Sequence, residues 1–108
     1  MYRIRKFRRT NGLVPFDEWF NTLKDVKVKA RLLKRLDKVQ LGNLGDWGSV
    51  GDGVFELKEH FYQGFRIYYG MERRTVILLL CGGDKASQAK DIRKAKQYWR
   101  EYKQSDER

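Results

Sequence analysis

Residues Gly53 to Gln88 read GVFELKEHFYQGFRIYYGMERRTVILLLCGGDKASQ, and this run decides the fold. It holds two short alternating strands, a third apolar strand, and a turn that opens a helix. Side chains of a strand point alternately to opposite faces, so every second residue shares a side. Phe55, Leu57 and Phe61 therefore share one face with Phe65, Ile67 and Tyr69. Glu56, Lys58, His60, Arg66 and Tyr68 share the other. A two-stranded surface carrying Lys, His, Arg and Tyr together suits an anionic ligand. The same residue types can move protons and stabilise charge during phosphodiester cleavage.

Working outward, the pattern predicts strands over Val54–Phe61, Phe65–Gly70 and Thr75–Cys81, with Met71–Arg74 as a tight hairpin connection. The third strand is apolar on both faces, which predicts a central place in the sheet. Gly82 and Gly83 are expected to break it. A helix is expected from Lys85 or Ala86 to about Tyr102, with Ala89, Ile92, Ala95, Trp99 and Tyr102 available to pack. The polar residues 103–108 are expected to fray. Toward the N-terminus, Gly42–Gly53 is rich in Gly, Asp, Asn and Ser and reads as loop. Before it, Asp25 can cap a helix that ends near Leu41. Its apolar stripe is Val28, Leu32, Leu36 and Val39, widened by Leu33, while Lys27, Arg31, Lys34 and Lys38 fall opposite. Pro15–Leu23 reads as a shorter helix with Phe16, Trp19, Phe20 and Leu23 on one side, Pro standing where the first turn needs no N–H. Tyr2–Phe7 alternates as an opening strand. The expected order is β-α-α-β-β-β-α. This is an α+β fold with a small antiparallel-rich sheet, an N-terminal α-hairpin and a C-terminal helix, and with the helices mainly on one sheet face.

The chain has 108 residues, which fits a single domain over 1–108. Its formal net charge is +10, which favours RNA, DNA, ribosomes or an acidic protein as partner. No apolar run is long enough to span a bilayer, and the basic N-terminus lacks the apolar core of a signal peptide. The single cysteine, Cys81, excludes an internal disulfide framework and fits a reducing cytoplasm. With one His and one Cys, a zinc site is not expected.

Arg66 is the foremost candidate, because a planar guanidinium grips two phosphate oxygens at once. The competing reading is a strand arginine that pairs with Glu56 across the sheet. His60 has an unperturbed pKa near working pH and can act as acid or base, or be a surface histidine at a strand end. Glu59 alternates to the opposite face and is a weaker base candidate. Tyr68 and Tyr62 can stack on a splayed base, whereas Tyr69 alternates inward. Lys85, and Gln88 one turn on, follow GGD at a helix start, where free N–H groups bind phosphate; Asp84 can equally cap that helix. Lys27, Arg31, Lys34 and Lys38 form either a solvated face or a hold on RNA phosphates. Trp47 can contact a partner, and Cys81 reads as a buried small apolar residue.

The motifs GVFELKEHF, GFRIYYG, LLLCGGDKASQAKDI and KAKQYW give the chain a likeness to a known group. It resembles the RelE/ParE superfamily of toxins from type II toxin–antitoxin modules, and within it the HigB-like addiction module killer branch. The resemblance implies a ribosome-dependent, metal-independent mRNA endoribonuclease, in which an RNA 2′-hydroxyl attacks the adjacent phosphate and a cyclic phosphate is left. It implies no cofactor, a cognate antitoxin that is expected to be a helix-turn-helix protein of the adjacent gene, and ribosome and mRNA as the other partners. It assigns Arg66 to the phosphate's developing charge, with Lys58 and Lys85 as further basic groups. The tyrosine that RelE-type relatives carry in the final helix has no counterpart, since Asp91 and Ile92 stand there. ParE-like relatives share the fold and poison gyrase without cleaving RNA. A noncatalytic RNA-binding module is the other alternative.

Overall fold

The computed structural model describes residues 1–106. Its elements are β1 (Arg3–Lys6), α1 (Pro15–Thr22), α2 (Val26–Gln40), β2 (Trp47–Gly51), β3 (Val54–Glu59), β4 (Phe65–Glu72), β5 (Val76–Asp84) and α3 (Gln88–Asp106). The strands form one sheet in the order β1-β5-β4-β3-β2. β1 runs parallel to β5, with Arg3 opposite Val76, and every other pairing is antiparallel. The small α+β architecture is the one the pattern predicts. β5 is interior and buried almost throughout, as its continuous apolar run requires.

The helices start where local chemistry sets them. Pro15 opens α1, whose Phe16 is buried. Asp25 accepts a hydrogen bond from the Lys27 amide at 2.8 Å and so caps α2. Val28, Leu32, Leu36 and Val39 join Leu57, Phe65, Ile67 and Tyr69 in one core between α2 and the sheet. Trp19, Phe20 and Leu23 pack at its margin. Leu33 does not widen this stripe; it lies half exposed on the outer side of α2.

Four expectations are corrected. The Gly42–Gly53 stretch is not all loop, because β2 lies inside it. Trp47 stands opposite Leu57 and packs on Phe55 at 5.9 Å, while Asp52 and Gly53 turn the chain with φ of 57° and 81°. An Asp-Gly pair is a strong hairpin signal, since both turn positions need positive φ. Secondly, the helices occupy both sheet faces. α3 covers the second face with Ala95 and Trp99, against Val54, Tyr68, Leu78 and Leu80. Thirdly, Gly82 and Gly83 continue β5 rather than break it. Side chains at these positions would run into the Trp19 ring and the Asp91 carboxylate, so the strand needs glycine there for space. Fourthly, residues 103–106 are helical, and the rest of the expected frayed tail, 107–108, lies outside the described residues.

α3 also sits hard against β4. A Cβ at Gly70 would overlap the Trp99 ring. Gly70→Ala is therefore expected to lower stability by about 1–3 kcal/mol, the usual cost of overpacking. Urea unfolding followed by circular dichroism measures this. An unchanged midpoint would contradict the docking of α3 on this face.

Candidate functional site

The face that alternation gave to Glu56, Lys58, Arg66 and Tyr68 is built as expected, but it is not an open surface. Lys58 lies directly opposite Arg66, and Glu56 opposite Tyr68. α3 closes over the middle of this face and leaves only its end, beside the β3–β4 turn, within reach of solvent. Arg66 and Glu56 are each 7% exposed. The Arg66 Nε lies 3.6 Å from Glu56 Oε1, and no hydrogen bond satisfies that Nε. Arg66 Nη1 donates to the Phe65 carbonyl at 3.1 Å. Gln88, in the first turn of α3, donates to Glu56 Oε1 at 3.3 Å. Gln88 is thus tied to the same charge pair, as a positioning group rather than a free RNA contact.

Lys85 stays exposed just before α3, where its amide donates to the Gly64 carbonyl at 3.3 Å. Gly64 lies between the two basic groups. A Cβ there would stand 3.6 Å from both Arg66 Nη1 and Lys85 Cβ. Gly64 is buried and has a φ of 80°, which only glycine adopts freely, so the turn requires glycine for its backbone conformation. Asp84 accepts from the Ser87 amide at 3.1 Å, which organises the turn ahead of α3. Arg66, Lys85 and Gln88 thus meet at one end of the sheet with Glu56 among them, while the Lys58 side chain reaches the other way, over Gly48 of β2.

His60 does not join them. It is exposed, and its ring bonds to the Asp46 carboxylate at 2.6 Å. That bond is the first cause holding the Asp46 carboxyl below its usual range, partly offset by desolvation and aided by the charge of Lys58. Tyr68 is corrected outright. Its ring is fully buried under α3 and has no face for a base. Its hydroxyl is buried without a partner, and burial, then the charge of Glu56, pushes its pKa up. Tyr62 is the exposed aromatic here, held at a φ of 52°. Cys81 is buried, and desolvation pushes its thiol up to about 12, far from a working thiolate.

Lys27, Arg31, Lys34 and Lys38 all lie exposed on α2, away from the Arg66 cluster. Sequence reasoning missed Arg35. It is buried, and its Nη2 donates to the carbonyls of Leu44 and Asp46, 2.8 Å each, pinning that loop to α2. Its i+7 spacing from Val28, inside the apolar stripe, was the available signal. Among the described residues no three His, Cys, Asp or Glu side chains converge as a metal-binding group. Nor, among them, is any helix long and apolar enough to cross a membrane.

Together these features define a small basic α+β domain with a recessed cationic cluster at one end of its sheet. Residues 18–100 match the family described as phage derived protein Gp49-like (DUF891). An uncharacterized protein of Haemophilus influenzae is 46% identical over 81 residues, spanning 75% of this chain and 82% of that protein. The chain belongs to the Gp49-like family, an addiction-module killer or toxin family, and a toxin of this kind has a cognate antitoxin as partner.

Burial changes what substitutions at the cluster do. Removing one partner of a buried ion pair leaves the other charge uncompensated, so Arg66→Ala is expected to cost about 3–5 kcal/mol. Alternation alone would make that change harmless to the fold. Tyr68→Phe removes a hydroxyl that has no partner and is expected to be neutral or slightly stabilising. Thermal unfolding of both variants checks the contrast. A Tyr68→Phe loss as large as that of Arg66→Ala would mean that the hydroxyl is bonded and the cluster is arranged differently.

Proposed function

We propose that this chain is a RelE/ParE-superfamily toxin of the HigB-like branch and cleaves translated mRNA on the ribosome. The observation that carries the reading is the buried Arg66–Glu56 pair with Gln88 on Glu56 and Lys85 beside it across the Gly64 turn. In the proposed step a base removes the proton of an RNA 2′-hydroxyl, and that oxygen bonds to the adjacent phosphorus. The bond to the 5′-oxygen breaks, and that oxygen takes up a proton. The products are a 2′,3′-cyclic phosphate and a 5′-hydroxyl. Arg66 is positioned to stabilise the charge that builds on the phosphate oxygens. Its neighbours on β4 point into the core and hold its direction. Lys85 brings further positive charge to the rim, and Lys58, reaching over β2, extends the positive field along that face. Glu56 is the carboxylate nearest Arg66 and is the base this reading favours; His60, bound to Asp46, is set aside from the reacting phosphate.

One observation favours a second reading. Arg66 is almost wholly buried and paired with Glu56, as a structural arginine would be. If that is its whole role, the chain is a gyrase-directed, ParE-like toxin or a noncatalytic RNA binder. Induced expression separates these readings. The proposal expects growth arrest and primer-extension stops in a reporter transcript that has a start codon, with none when the start codon is removed. Equal cutting of both transcripts would contradict the ribosome requirement. Broken or relaxed DNA with intact mRNA would point to gyrase.

A further inference from the structure

We propose that the outer side of α2 docks an acidic amphipathic helix of the cognate antitoxin. This rests on the antitoxin partner that the family brings, and not on the nuclease reading. Successive residues of a helix lie about 100° apart around its axis, so α2 divides into sectors. Its buried sector faces the sheet through Val28, Leu32, Leu36 and Val39. Well round the helix from it, Val26 and Leu33 face solvent, 76% and 50% exposed, and Leu41, just past the helix end, is 72% exposed. Val26 and Leu33 are seven residues apart, the repeat of a helix–helix seam. The sector beside this seam carries Lys27, Arg31, Lys34 and Lys38, all exposed. α2 thus presents an apolar seam flanked by a row of cations.

The combination selects the partner. An RNA backbone would use the cations and leave Val26, Leu33 and Leu41 in water. A helix with an apolar stripe and a flank of Asp or Glu uses both features at once. From Val26 to Leu41 is about 22 Å of helix, room for roughly four turns of such a partner. Toward the C-terminal end the cationic row deepens into a cavity of about 440 Å³, lined by Arg31, Lys34, Arg35, Lys38 and Glu59 among others. Its cations are held in place before any partner arrives. The Arg31 guanidinium lies over the Phe61 ring at 3.8 Å. Arg35 is 9% exposed, is fixed by two backbone carbonyls, and its Nη1 lies 4.0 Å from Glu59 Oε1. Glu59 answers Arg35 inside the cavity, and the partner's acidic flank meets the exposed Arg31, Lys34 and Lys38 around it. Asp37, exposed between Leu33 and Leu41, is a polar break in the seam of the kind that sets register.

The test is surface plasmon resonance between the full chain and the protein encoded in the adjacent reading frame, at two ionic strengths. Leu33→Glu is expected to weaken binding by about 30-fold or more, chiefly through faster dissociation. Lys34→Glu with Lys38→Glu is expected to slow association by about tenfold and to flatten its salt dependence. Lys90→Glu with Arg93→Glu, on the outer side of α3, is expected to change neither rate. All of these side chains are exposed; should Leu33→Glu fail to fold by circular dichroism, Val26→Glu replaces it with the same expectation. Wild-type rates for both α2 variants would overturn the proposal, as would the absence of any complex with the wild-type chain. So would α2 variants that lose binding to purified ribosomes yet keep the antitoxin, since the surface would then belong to RNA. mRNA cutting enters none of these readouts, so the nuclease reading stands or falls separately.

Discussion

The sheet is buried on both faces, and a charged residue in its interior must therefore find a partner inside the protein. Arg66 lies on β4, the middle strand, with β3 on one side, β5 on the other and α3 over its end. Glu56 supplies the opposite charge, and Gln88 holds Glu56 from the first turn of α3. That small network ties β3, β4 and α3 together at one point. It also explains why the cationic cluster is recessed. A buried ion pair adds little net stability, but breaking it is costly, so the pair fixes an arrangement more than it strengthens the fold.

The same constraint shapes the charge distribution. Much of the chain's positive charge cannot enter the sheet and is carried on the outer sides of α2 and α3. Arg66 and Arg35 are cations brought inside, Arg66 within the sheet and Arg35 on α2, each with a buried Nε that no hydrogen bond satisfies. Preorganised donors in a site poor in water stabilise developing charge far more than donors in bulk solvent do. On the proposed reading, two tasks fall to two places. The recessed end of the sheet suits chemistry on a phosphate, and the exposed side of α2 suits a protein that restrains it.

Much of this was legible from residue order. Alternation in β3 and β4 sorted Phe55, Leu57, Phe65, Ile67 and Tyr69 from Glu56, Lys58, Arg66 and Tyr68, because a period of two admits no other division. The unbroken apolar run of β5 marked an interior strand. What alternation cannot show is what covers the second face. α3 has a sparse apolar stripe, Ala95 and Trp99 with Ile92 and Tyr102 at its margin, and its average composition is strongly polar. Its packing over Tyr68 was therefore not foreseen, and Tyr68 passed for a surface aromatic. β2 was hidden by glycine-rich composition, although Asp52-Gly53 carried a hairpin signal. Gly82 and Gly83 passed for a break because sequence does not show that Trp19 and Asp91 need the space. Of the candidate site, Arg66, Lys85 and Gln88 meet around Glu56, while Lys58 reaches over β2 and His60 is drawn away by Asp46, a residue 14 positions earlier that no local pattern links to it.

The central claim is that the recessed Arg66 acts on a phosphate and is more than the counter-charge of Glu56. Single-turnover cutting of an mRNA bound to purified ribosomes, with Arg66→Lys beside the natural chain, tests it most directly. Lysine keeps the charge beside Glu56 but loses the planar fork that matches a phosphate. If Arg66 stabilises the reacting phosphate, the folded variant cuts about 10²–10³ times more slowly. If Arg66→Lys folds and cuts at the natural rate, Arg66 is structural and the account of the site is wrong.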